Sequence, residues 1–368
     1  MSDPIWQFSL HAVHALVWFG ALFVVLYVVV RLVSLRPLVY ATTFLTLCLV
    51  ALGAYVRLMD AGLGCPDWPG CYGKLSPLQA QVEISGAEKM SPAGPVSAPK
   101  AWKEMVHRYV ASLVGVLIVA ILLKILYRRR HVRRDREEPN LSLGLPLLLV
   151  VLVVAQGLFG KWTVTLLLKP AIVTLHLLGG MLILAALTWL SARYLKPAGA
   201  ARPAEARAMR PWALLGLLLV FGQIALGGWV STNYAALACV DFPTCHGMWI
   251  PDMDFAHAFQ VHRQLGMTAA GAPLSNDALN AIQWTHRVGA LVVAIYIGTL
   301  AFFASRMSGL RGYASVVVVL LVAQISLGIT NVLAMLPISV AVAHNVGAAL
   351  LLMSVVMLNF ALYQESAR

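Results

Sequence analysis

Apolar residues arrive in blocks of about 20, the length an α-helix needs to cross ~30 Å of hydrocarbon at about 1.5 Å per residue. Nine such blocks are read, at about 11–33, 37–58, 104–127, 144–164, 171–192, 211–231, 280–304, 312–331 and 338–362. The blocks predict an all-α polytopic membrane protein. Composition agrees: 60% of the 368 residues are hydrophobic and 11% are charged, against roughly 25% charged in soluble domains. An ordinary soluble enzyme, a disordered chain and a small disulfide scaffold are all excluded. The first block has no short cleavage-site pattern and runs into Arg31 and Arg36, so a retained helix is expected rather than a signal peptide.

The net charge of +12 raises a nucleic-acid reading, but no zinc finger, helix-turn-helix or RNA-binding signature accompanies it. The basic residues sit in short runs between apolar blocks instead. They are Arg31 and Arg36, the cluster Arg128, Arg129, Arg130, Arg133, Arg134 and Arg136, then Arg193, Lys196, Arg202, Arg207 and Arg210, then Arg306 and Arg311. The positive-inside tendency places these on the cytoplasmic side and segments 59–103 and 232–279 on the other. Four units follow: an extra N-terminal helix (1–36), a four-helix bundle (37–192), a cytoplasmic linker (193–210) and a second four-helix bundle (211–368).

An internal repeat supports that division. Cys65-Pro-Asp67-Trp-Pro69-Gly-Cys71 recurs as Cys239-Val-Asp241-Phe-Pro243-Thr-Cys245. Leu52-Gly53-Ala-Tyr-Val56 recurs as Leu226-Gly227-Gly-Trp-Val230, and Ala155-Gln156 as Ala323-Gln324. His107-Arg108 pairs with His286-Arg287, and His176 with His344. Each half therefore has a Cys-containing outer loop after its first helix and one His on its second and fourth helices.

Ionisable groups inside membrane helices are expensive and usually functional. Two imidazoles on alternating helices of a bundle can ligate a haem from opposite faces, with apolar helix walls covering the macrocycle. His107 with His176 forms one candidate pair, and His286 with His344 the other. Zinc fits less well, because it needs three or four ligands at one point and each half offers one pair. Arg108 and Arg287 follow a ligand candidate in each half and are expected to reach propionates. Glu104 lies one helical turn before His107, on the same face, as a proton acceptor or cation stabiliser; Gln283 takes that place before His286. Cys65/Cys71 and Cys239/Cys245 are either loop-stapling disulfides or a thiol–disulfide relay. Asp67 and Asp241 shape those loops, and the polar, Pro-rich 85–99 stretch reads as a flexible loop. His246, His257 and His262 rank below the four main histidines.

Together these residues resemble the haem A synthase family over about 38–362. The motifs that carry the resemblance are Gly53-Ala-Tyr-Val-Arg57-Leu-Met-Asp60-Ala-Gly-Leu-Gly-Cys65 through Cys71-Tyr-Gly73, the Glu104-x-x-His107-Arg108 motif, Gln283-Trp-Thr-His286-Arg287-Val-Gly289, His176-Leu-Leu-Gly and His344-Asn-Val-Gly. The resemblance implies oxidation of the C8 methyl of haem O to the formyl of haem A, for use in terminal oxidases. It implies haem b in the C-terminal half, on His286 and His344, and the substrate haem between His107 and His176 with Glu104 at its methyl. It places the chain in the bacterial inner membrane with the Cys loops periplasmic. Expected partners are a haem O synthase that delivers substrate, membrane lipid, an electron acceptor, terminal-oxidase assembly factors and a second copy of the chain. The extra N-terminal helix departs from the family's eight-helix pattern, and Gln283 stands where many relatives have a second His. A bis-His haem b electron-transfer protein that does not modify haem is the rival reading; a transporter is a further one.

Overall fold

The computed structural model describes residue 24 and residues 26–131, 142–195 and 203–366. Its helices are α1 (Leu35–Leu58), α2 (Gln81–Met90), α3 (Ala98–His131), α4 (Gly144–Thr165), α5 (Pro170–Ala192), α6 (Pro203–Thr232), α7 (Phe255–Ala258), α8 (Asn276–Arg306), α9 (Arg311–Leu333) and α10 (Ile338–Ser366). No β-strand forms among the described residues. Eight of these helices, all except α2 and α7, are long and apolar enough to cross a membrane, and the protein is a multi-pass membrane protein. In hydrocarbon a helix satisfies every backbone polar group internally, which is why the Leu-, Val- and Ala-rich blocks take this form. Most of the expected first span, 11–33, lies outside the described residues. Its end is helical at residues 26–32 and is held to α3, where Lys124 donates to the Val30 carbonyl at 2.6 Å and Arg31 donates to Tyr127 Oη at 2.6 Å.

Helices α1, α3, α4 and α5 pack as a ring of neighbours, and α6, α8, α9 and α10 form a second ring. The rings meet where α5 and α1 pack on α10 and where α5 packs on α6. Met181 and Leu184 of α5 belong to the same buried cluster as Val220, Ile297, Leu352 and Val355, so one core crosses the junction. Short polar side chains link helices within the apolar layer. Thr43 and Ser191 hydroxyls meet at 2.9 Å between α1 and α5, and Thr174 and Thr232 at 3.1 Å between α5 and α6. Such bonds hold apolar helices where lipid removes the hydrophobic drive for association. Leu215, Val319, Leu291 and Ile295 point outward, as lipid-facing positions should.

Helix ends run past the apolar blocks. α3 begins at Ala98 rather than near 104, and α6 begins at Pro203 rather than 211. The expected linker 193–210 therefore ends early, because 203–210 form the first two turns of α6. Its Ala, Glu, Arg and Met residues are strong helix formers, and Pro203 heads the helix, where a missing N–H forfeits no bond. Pro211 sits inside this helix; hydropathy had placed the boundary at that proline. The 85–99 stretch is likewise not all loop. Residues up to Met90 belong to α2, which buries Ile84 (1% exposed) against Cys65, Cys71, Ala101 and Met105.

Alternation of helix direction gathers both Cys loops at one end of the molecule. Arg36, Arg128, Arg193, Arg207, Arg306 and Arg311 lie toward the other. The Cys end carries a clasp between the rings: Arg57 Nη2 donates to the Ser231 carbonyl at 2.6 Å and stacks on the Tyr234 ring, whose hydroxyl donates to Asp60 at 2.7 Å.

Candidate functional site

Each of the four histidines lies on a helix that crosses its ring: His107 on α3, His176 on α5, His286 on α8 and His344 on α10. His107 and His176 face each other with ring centroids 6.5 Å apart and planes at 68°. Two imidazoles bound to one metal from opposite sides, at about 2 Å each, have centroids roughly 6 Å apart. The spacing thus fits an iron between the rings. His286 and His344 also lie within electrostatic reach of each other. The Nδ1 atoms of His107, His176 and His344 are buried without a hydrogen-bond partner, a costly state for isolated core histidines. Among the described residues no three of His, Cys, Asp or Glu converge as a metal site; the ligand sets are pairs.

Glycines on the preceding helices make room for the rings. A Cβ on Gly53 would come within 3.1 Å of His107 Cε1, and one on Gly160 within 3.3 Å of His176 Cε1. The corresponding distances are 3.1 Å from Gly227 to His286 and 3.0 Å from Gly328 to His344. Each ring therefore packs with its Cε1 edge directly against a helix backbone. Three glutamines sit one turn before these glycines. Gln156 Nε2 donates to the His176 carbonyl at 2.5 Å. Gln223 Nε2 lies 2.9 Å from both His286 Nδ1 and the His286 carbonyl, and Gln324 Nε2 lies 3.3 Å from His344 Nε2.

The two Cys loops are disulfide-bonded, Cys65 to Cys71 and Cys239 to Cys245. Each closes with a two-residue hairpin: Cys71 and Lys74 exchange backbone hydrogen bonds at 2.9 and 3.0 Å, and Cys245 and Met248 at 2.8 and 3.0 Å. The turn residues Tyr72, Gly73, His246 and Gly247 all have positive φ, the conformation of a tight I′ hairpin. Asp67 accepts from the Tyr72 and Gly73 N–H groups at 2.6 Å each. Asp241 does the same for His246 and Gly247 and also accepts from Thr244 Oγ1. That Thr244 bond, with the two backbone N–H donors, holds the Asp241 carboxyl well below the usual range. Loop shaping by these aspartates is the expected role.

Glu104 is 5% exposed. Its Oε2 accepts from the Cys65 N–H at 2.8 Å, and its Oε1 pairs with Arg108 Nη2 at 2.5 Å. Gln283 holds the second loop in parallel fashion: Oε1 accepts from the Cys239 N–H at 2.6 Å and Nε2 donates to the Ala236 carbonyl at 2.7 Å. Arg108 donates to the carbonyls of Asp67, Pro69 and Gly70. Arg287 donates to those of Thr244 and Cys239. Thus the Glu and Arg flanking His107, and the Gln and Arg flanking His286, pin a disulfide loop to the helix that carries the histidine.

The family described as "Cytochrome oxidase assembly protein" (COX15-CtaA) matches residues 36–356. This chain belongs to that family. A protein of Shewanella oneidensis named "Heme A synthase" is 39% identical over 91% of this chain and 98% of its own length. One of Methylobacterium radiotolerans with the same name is 31% identical over 85% of this chain and 86% of its own. Another, of Shouchella clausii, is 27% identical over 82% and 92%.

In this family member the sequence did not show that Gly53, Gly160, Gly227 and Gly328 face the histidine rings, nor did it single out Gln223. Their signal was present, because Gln-x-x-x-Gly precedes three of the histidine helices. Arg263 was also passed over. It is 1% exposed, donates to Asn233 Oδ1 at 2.6 Å, and lies against the Trp229 ring under the second outer segment. His246 lies 3.4 Å from Asn280 Oδ1 and His257 pairs with Asp254 at 2.6 Å; neither joins a histidine pair.

Proposed function

We propose that this chain is a haem A synthase that oxidises the C8 methyl of haem O to a formyl group. The observation that carries the reading is the facing pair His107 and His176, spaced for one iron, in a chain 39% identical to a protein named "Heme A synthase" along nearly all of that protein's length. These relatives favour haem modification over a purely electron-transferring bis-His protein. The units follow the rings: α1 to α5 hold the substrate, and α6 to α10 hold haem b between His286 and His344. The parallel contacts of Glu104 and Gln283 support the reading of two related halves.

Water is the proposed oxygen source. Conversion of the methyl to a formyl group by one net water releases four electrons and four protons, in two hydroxylations followed by loss of water. His107 and His176 hold the substrate iron and so fix the orientation of the macrocycle. Glu104 lies one turn from His107 and accepts from the loop backbone and from Arg108. A carboxylate has about four acceptor positions, so Glu104 can still take a proton or face the positive charge that develops at the methyl carbon. The disulfide loops, pinned to α3 and α8 beside these histidines, would limit bulk water there. Haem b, when bound, supplies one-electron redox chemistry beside this site. The basic end faces the cytoplasm and the Cys loops face the periplasm of a bacterial inner membrane. Haem O synthase, a membrane electron acceptor and oxidase assembly factors are the proposed partners, with membrane lipid around the helices and a second copy as a neighbour in the bilayer plane.

The test is to supply purified protein with haem O and an electron acceptor and to identify extracted haems by mass. Formyl haem in the wild type, and its loss with retained haem b in His176→Ala, supports the reading. Unmodified haem O under every acceptor refutes it.

A further inference from the structure

The four histidine helices share one packing arrangement, and one of them departs from it in two places at once. In three cases a Gln lies one turn before the ring-facing glycine: Gln156 before Gly160, Gln223 before Gly227 and Gln324 before Gly328. In the same three cases a Gly lies three residues after the histidine. A Cβ at Gly179, Gly289 or Gly347 would land on the Oε1 of Gln156, Gln223 or Gln324 respectively. Each amide is thus wedged between its helix and the histidine helix, with Oε1 buried in the glycine slot and Nε2 against the histidine carbonyl or ring. At His107 the glutamine position is Leu49 and the glycine position is Val110. Leu49 offers no amide, and the Val110 side chain fills the slot that an amide would need.

Resting on the ligation reading above, we infer that Gln156, Gln223 and Gln324 are positioning residues that fix His176, His286 and His344, and that His107 is the ligand that lets go when haem enters and leaves the first site. A partner on the non-ligating side of an imidazole fixes its tautomer and orientation, and loss of such partners typically weakens metal binding by about 10–100-fold. The Nδ1 atoms of His107, His176 and His344 are all buried without a partner; what His107 alone lacks is a glutamine amide against its helix or ring. What steadies its helix is the Glu104 and Arg108 hold on the Cys65–Cys71 loop, which bears on the loop and not on the ring. In the first site the His176 helix is held at its backbone carbonyl by Gln156 and the His107 helix has no such wedge; in the second site Gln223 meets His286 and Gln324 meets His344 at the ring. A site that takes up a substrate haem and gives up a product needs a leaving ligand, whereas a resident haem does not.

The test uses the full-length holoprotein in detergent, reduced, with carbon monoxide as probe, because it binds iron only where an imidazole has left. In wild type, carbon monoxide uptake should rise in step with the haem O loaded, while haem b stays inert. This arm requires no variant. Leu49→Gln with Val110→Gly should install the wedge and slow uptake at the first site by about 10-fold. Gln324→Leu or Gln223→Leu should make haem b reactive towards carbon monoxide, scored per haem b retained. Equal reactivity of both haems in wild type, or an inert haem b in both glutamine variants, overturns the inference. If none of the four His→Ala variants loses haem, the ligation reading fails, and this inference falls with it; haem ligated at both sites with equal reactivity removes this inference alone.

Discussion

Replacing Glu104 separates its hold on the Cys loop from its charge. Glu104→Gln keeps an acceptor for the Cys65 N–H, as Gln283 shows at Cys239, but loses the buried pair with Arg108, whose side chains are 6% and 11% exposed. Removing one charge of a buried ion pair costs about 3–5 kcal/mol, and Arg108 keeps its loop carbonyls, so this change should cost about 3 kcal/mol. Glu104→Ala removes both contacts. The Cys65 N–H would be left without an acceptor, at about 1–3 kcal/mol, and a broken buried ion pair adds about 3–5 kcal/mol. Arg108 retains its loop carbonyls, which puts the second contribution at its lower end and the total at about 4–6 kcal/mol. At about 2 °C per kcal/mol, the heat-unfolding midpoint followed by tryptophan fluorescence should fall by about 6 °C for Gln and about 8–12 °C for Ala. Equal midpoints for the two variants would refute the anchoring argument. If Glu104→Gln stays within that range yet makes no formyl haem, the charge itself serves the chemistry.

Gly227→Ala places a methyl 3.1 Å from His286 Cε1; overpacking of this kind costs about 1–3 kcal/mol, and haem b content by pyridine haemochrome should fall while haem O binding persists. Cys65→Ser with Cys71→Ser opens a loop whose cysteines are six residues apart and should cost about 2 kcal/mol by loop entropy, read as earlier heat unfolding that added reductant no longer lowers at this loop. Asp241 has its folded pKa held down by Thr244, Gly247 and His246. Its contribution to stability is therefore full above the unfolded value of about 3.9 and is lost as pH falls through the lower folded value. The unfolding midpoint should drop on acidification from pH 5 to pH 3 in wild type and change less in Asp241→Asn; identical slopes would count against it.

The apolar blocks determined eight spanning helices to within a few residues, because hydrocarbon leaves a long apolar segment no alternative to a helix. The ends were misplaced at Ala98 and Pro203, where polar residues with good helix propensity carry a helix beyond the apolar layer. The histidines were legible too, since an imidazole inside such a block has to be explained. Their pairing at 6.5 Å was decided only by how α3 and α5 pack in the ring. The loops show the limit most clearly. Sequence spacing put Glu104 one turn from His107 and suggested propionates for Arg108 and Arg287. The folded chain turns Glu104, Arg108, Gln283 and Arg287 onto the disulfide loops, because buried N–H and C=O groups of an irregular segment must find partners and those side chains are the ones within reach. Spacing along a helix gives the face a residue shares; what lies opposite that face depends on segments far away in the chain.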